Sequence, residues 1–181
     1  MKLRVTYNAP VVLTFSILSI ALFLLNEVYP VYDFIVLNGF NFRQTLKYPP
    51  LLLYTLAHSS AAHLMANLSL LLLIGPIVEE KYGWRQTLIM LLITALVTAI
   101  LHLIFFNSGL MGASGIVFML IILASFTSSQ KVEIPVTFIL ILVIWLGKEI
   151  WESFETDRVS QFAHIIGGVC GSLFGFFRWF R

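Results

Sequence analysis

Charged residues are so sparse along this chain that the uncharged stretches between them set its layout. Val5 to Asn26, Tyr48 to Val78 and Gln86 to Gln130 contain no Lys, Arg, Asp or Glu. A helix that crosses a bilayer core of about 30 Å needs roughly 20 apolar residues. The pattern therefore predicts spans over residues 6–26, 61–78, 85–106, 114–128, 132–151 and 159–178. The expected architecture is all-α: a polytopic six-helix membrane bundle in one domain over residues 1–181.

The run from Tyr48 is longer than one span needs, and Pro49 and Pro50 exclude a regular helix throughout it. Residues 48–60 are read as a dipping or interfacial segment ahead of the second span. Gln86 to Gln130 is long enough for two spans, broken by Asn107-Ser108-Gly109 and Gly112. Gly109 to Ala113 is expected to enter the membrane as non-helical backbone, which is tolerated only where protein or a water-filled cavity surrounds it. The fifth span is reached by extending Ile134–Gly147 to Val132 and Trp151, with Lys148 and Glu149 at its edge.

Composition agrees with a lipid solvent. Apolar residues make up 59% and charged residues 11%, with a mean hydropathy of +0.94; soluble domains run nearer half and a quarter. A net charge of +2 gives no case for nucleic-acid binding. Cys170, the single cysteine, excludes an intrachain disulfide and reads as packing. The first apolar run follows Lys2 and Arg4 with no small-x-small site behind it, so it is read as a retained helix. With both termini inside, seven Lys and Arg fall on inner segments and four on outer loops, which favours cytoplasmic termini.

Polar residues inside membrane helices are costly and point to function by default. His63 and Asn67 lie four apart and share a helix face; they bridge to a neighbouring helix or donate to a developing oxyanion. Gly112-Ala113-Ser114-Gly115 opens the fourth span. A serine there is a helix cap, or a nucleophile beside free backbone N–H groups. The sixth span carries Ala163-His164, with Gly168 on the face of His164, and a small-xxx-small ladder at Gly167, Gly171 and Gly175. Such a ladder lets another helix approach closely. Packing the fourth span on the sixth brings Ser114 within hydrogen-bond reach of His164, an arrangement for acyl transfer. His102 lies outside every motif and is assigned to packing or interfacial hydrogen bonding. The four histidines form no ligand set with nearby carboxylates, so neither a metal nor a cofactor is expected.

In their order and spacing, His58-x4-His63-x3-Asn67, Gly112-Ala113-Ser114-Gly115 and Ala163-His164-x2-Gly167-x3-Gly171 resemble the rhomboid family of intramembrane serine proteases, in its bacterial six-span form. The resemblance implies Ser114 as nucleophile and His164 as base, with His63, Asn67 and the Ser114 N–H holding the oxyanion. It implies that His58 orders the first loop, that Phe118 packs on the base, and that Gly112, Gly115, Gly167 and Gly171 support the site. Gly75, Glu79 and Gly83 match a structural turn. Its implied partners are transmembrane protein substrates with helix-destabilising residues, and its implied location is a bacterial inner membrane. The chain departs from the family in having Tyr48-Pro49-Pro50-Leu51 where many members carry Trp-Arg, and Ile121–Ile122 where some carry a glycine. Helix contact is expected to be looser or arranged differently there. An inactive rhomboid-like protein that binds membrane helices is the first alternative, and a small transporter the second.

Overall fold

The computed structural model describes residues 6–38, 48–127, 134–141, 143–144 and 158–177. The described residues are mostly helical: α1 (Pro10–Asn26), α2 (Tyr32–Ile35), α3 (Pro50–Leu53), α4 (Ala61–Tyr82), α5 (Trp84–Phe105), α6 (Ser114–Ala124) and α7 (Arg158–Phe176). They contain no strand; Leu37 and Leu110 form an isolated antiparallel bridge. Half of the expected fifth span, 132–151, lies outside the described residues; 136–141 and 143–144 are helical.

α1 starts at Pro10 rather than at residue 6, because a proline at the first helical position lacks only an N–H that would be unpaired anyway. The next donors, Val11 N–H and Val12 N–H, reach across to the Glu79 carboxylate on α4 at 2.9 and 3.0 Å. A negative side chain at a helix N-terminus also complements the helix dipole. Gly75, one turn before Glu79, lets α1 close in: a Cβ there would stand 2.6 Å from a Val12 methyl.

α4 is capped by Ser60, whose hydroxyl accepts the His63 N–H at 3.1 Å. It runs past residue 78 to Tyr82 and stops at Gly83, whose φ of +83° suits a glycine and whose N–H returns to Glu79 O at 2.8 Å. That single residue joins α4 to α5. Both helices are long and apolar enough to cross a membrane; α1, α6 and Gln161–Phe176 are shorter apolar helices. Large apolar side chains such as Leu73 and Ile104 stand exposed on their outer faces, which suits a lipid solvent.

The segment ahead of α4 is one turn of α-helix from Pro50 followed by a 3₁₀ turn over Tyr54–Leu56. α6 is shorter than the expected 114–128. After Ala124 the Ser125 and Thr127 hydroxyls bond back to the Ile122 and Ala124 carbonyls at 2.6 and 2.7 Å, closing turns in place of a further helical turn. The main core gathers Val12, Leu64, Leu71, Met90, Met119 and Phe174 from the helices around α6.

Candidate active site

α6 and α7 form the most extensive helix pairing among the described residues, and glycines set its distance. A Cβ on Gly167 would overlap the Gly115 carbonyl oxygen and lie 2.8 Å from its carbon; one on Gly171 would lie 2.5 Å from the Met119 carbonyl oxygen. A Cβ on Gly175 would strike the Phe126 ring. In return, a Cβ on Gly115 would sit 3.0 Å from Ala163 O. The glycines for the close contact near Ile122 therefore come from α7, which is how the pair closes without a glycine at 121 or 122. Gly168 is less constrained, with its first neighbour, an Ile122 carbon, 3.9 Å from an added Cβ.

Gly115 follows Ser114, and Ala163 precedes His164. One close contact of the crossing, Gly115 against Ala163 O, thus lies one residue from each member of the expected pair. Phe118, one turn after Ser114, stacks on the His164 ring at 4.2 Å between centroids and 25° between planes. Ser114 and His164 are both half-buried. Ser114 is the first residue of α6 and the N-cap position falls to Ala113, which makes no side-chain cap. The bond from Val117 N–H to Ala113 O, at 2.9 Å, is the first of the α6 ladder. The amides of Ser114, Gly115 and Ile116 precede it, beside the serine hydroxyl.

α4 brings the other polar residues to the loop ahead of Ser114. The His63 ring lies where a side chain on Gly112 would be: an added Cβ would stand 2.8 Å from Cε1 and 3.0 Å from Nε2. Gly112 has φ +114°, so its backbone also requires glycine. Its N–H donates to Tyr54 O at 3.0 Å. His63 Nδ1 shares a hydrogen bond with Ser59 Oγ at 3.1 Å. One turn on, Asn67 is buried, and its Nδ2 has no hydrogen-bond partner among the described residues. A buried amide donor without an acceptor is expensive unless something supplies one.

His58 lies in the loop ahead of α4. Its Nδ1–H donates to Leu56 O at 3.2 Å, and its backbone N–H donates to the Tyr32 hydroxyl at 3.1 Å. Its ring meets that of His63 edge-on at 5.1 Å. Burial, and next the neighbouring His63, lower its pKa to about 4. His102 is fully buried and bonds the Ser108 carbonyl at 2.7 Å.

Two supports of this region were missed by sequence reasoning. Tyr54 accepts the Gly112 N–H and donates its own hydroxyl to Ala95 O at 3.1 Å. Leu37 and Leu110 exchange backbone hydrogen bonds at 3.1 and 3.0 Å. Backbone acceptors leave no signature in side-chain identity.

A family model for the rhomboid domain matches residues 46–181, a region that contains His58, His63, Asn67, Ser114 and His164. The chain belongs to the rhomboid family. It is 35% identical over 127 residues to RHOMBOID-like protein 4 of Arabidopsis thaliana, covering 66% of this chain and 31% of that protein. It is 33% identical over 138 residues to Rhomboid-related protein 1 of Caenorhabditis elegans, covering 68% of this chain and 38% of that one. This rhomboid thus spans about a third of the length of these relatives. Its family and its apolar helices identify it as a membrane protein.

Proposed function

We propose that this rhomboid is an intramembrane serine endopeptidase that cleaves transmembrane segments of membrane proteins through a Ser114–His164 dyad. The observation that carries the reading is the α6–α7 crossing. Backbone-to-backbone contact at Gly115, Ala163 and Gly167 draws together the helix segments that carry the two residues, and the Phe118 ring stacks on the imidazole, which supports the reading.

Ser114 Oγ attacks the scissile carbonyl carbon while His164 takes its proton. The tetrahedral oxyanion is received by the Ser114 N–H, His63 and Asn67 Nδ2. His164 then returns the proton to the departing amine, and water hydrolyses the acyl-enzyme by the same path in reverse. Each oxyanion donor is worth on the order of 100–1,000-fold in turnover. Stacking on Phe118 supplies the ring orientation that a carboxylate provides in a triad.

A peptide bond inside a membrane helix is hydrogen-bonded and shielded, so a substrate must unwind locally. Gly or Pro near the scissile bond weakens the helix by about 1–3 kcal/mol and favours cleavage. The glycines at 112 and 115 suit small residues at the scissile position. The Lys and Arg distribution favours cytoplasmic termini with cleavage towards the outer face.

The test is reconstitution in liposomes with a tagged single-span substrate carrying a Gly-Ala pair near its outer end. Wild type should cleave it, and Ser114→Ala and His164→Ala should not. Co-purification of intact substrate with folded wild type, without cleavage, would replace the protease by a membrane-helix-binding protein.

A further inference from the structure

The loop over residues 106–113 delivers Ser114 to α6, yet Asn107, Ser108 and Gly109 are exposed and have little apolar packing. Leu110 packs into the core with Leu37, Tyr54 and Ala163, while the exposed 107–109 stretch relies on hydrogen bonds for its position. Leu110 is held by Leu37, and Gly112 by Tyr54. At the near end stands His102, in the last turns of α5.

His102 is fully buried, and its Nε2 lies 2.7 Å from Ser108 O. The acceptor is a carbonyl, so Nε2 carries the proton and donates. The ring also stacks on Phe106 at 5.3 Å and 11°. Phe106 meets Phe162 edge-on at 5.0 Å, and Phe105 meets the same ring at 6.0 Å. Phe162 lies on α7, two residues before His164. One side chain thus contacts both the loop that ends at Ser114 and an aromatic chain that ends on α7, the helix that carries His164.

We propose that His102 is a positioning residue for the dyad: it fixes the Ser108 carbonyl and, through Phe106 and Phe162, the register of the loop against α7. It touches no reacting atom. The role rests on the protease reading, and it gives a histidine outside every motif a task that simple packing lacks. Glutamine can place a donor near the same carbonyl; alanine and leucine cannot.

The test combines turnover with amide hydrogen exchange on the full chain in liposomes. For His102→Ala, kcat on a transmembrane substrate should fall about 10–100-fold with KM within about twofold, as expected of a misplacement near 1 Å. Exchange at the Leu110 and Gly112 amides should quicken at least about tenfold, since both are held by the bonds that the loop presents. His102→Gln should restore both readouts to within about threefold, while His102→Leu should not. Unchanged exchange at Leu110 and Gly112 in His102→Ala overturns the positioning role, whatever the activity. A loss of kcat that tracks the folded fraction, with no rescue by glutamine, overturns it too. A folded wild type that cleaves nothing overturns the protease reading instead, and is distinguished from these by the wild-type control alone.

Discussion

Gly167→Ala adds a single methyl where α7 meets the backbone of α6. That methyl would overlap the Gly115 carbonyl oxygen and lie 2.8 Å from the Gly115 carbon and 3.0 Å from its Cα. Ordinary carbon contacts sit near 3.5–4.0 Å, and backbone atoms cannot swing aside as a side chain can. Relief requires the helices to part by about 1 Å, beside the pair proposed to react. Overpacking of this kind destabilises by about 1–3 kcal/mol, and alanine's helix propensity returns about 1 kcal/mol of that. The net loss of stability is therefore small. The catalytic loss is not, because a misplacement of about 1 Å can cost on the order of 100-fold. Gly168→Ala is the matched control: its methyl would meet an Ile122 carbon at 3.9 Å, an ordinary contact. Turnover of a reconstituted transmembrane substrate and thermal unfolding should be measured on both variants. The expected result is kcat down about 100-fold for Gly167→Ala with a melting temperature within a few degrees of wild type, and nearly unchanged kcat for Gly168→Ala. Equal activity in the two variants would refute the claim that this crossing sets the dyad.

Further outcomes follow from other contacts. Asn67→Ala removes a buried, unpaired donor and should lower kcat about 100–1,000-fold while leaving the melting temperature unchanged or raised, checked by paired kinetics and unfolding. Glu79→Ala strips the acceptor from Val11 N–H and Val12 N–H and should destabilise by about 2 kcal/mol, read by denaturant titration, with kcat per folded molecule retained. His58 titrates near 4 in the folded protein because burial, and then His63, disfavour its charged form. The unfolded chain binds that proton near 6.5, so the contribution to stability is complete above about 6.5 and is lost as pH falls towards 4. The melting temperature should drop across that window for wild type and drop less for His58→Gln; parallel slopes would remove His58 as the cause.

Much of the packing around the candidate site was legible because its constraints fall on side-chain identity. A small-xxx-small ladder at Gly167, Gly171 and Gly175 can only mean close helix approach, and the contacts with Gly115, Met119 and Phe126 are of that kind. The start of α6 was legible from the glycines ahead of it, and the family from the ordered polar motifs. The end of α6 was not. Ser125 and Thr127 lie within the uncharged run that sets the span, yet their hydroxyls close turns on the preceding carbonyls. Contacts through backbone oxygens were also hidden: Tyr54 O with Gly112, Ser108 O with His102, and Leu37 with Leu110. Any residue supplies a carbonyl, so only folding reveals which one is used. The role of Glu79 was legible as part of a turn, but its grip on α1 depends on a helix far away in sequence.

The central claim is that Ser114 is a nucleophile activated by His164. A fluorophosphonate, incubated with folded protein in detergent and followed by mass-spectrometric mapping, tests it most directly. The account predicts one adduct, on Ser114, in wild type, and none in Ser114→Ala or His164→Ala of equal monodispersity. An unlabelled wild type, or labelling that persists in His164→Ala, would contradict it.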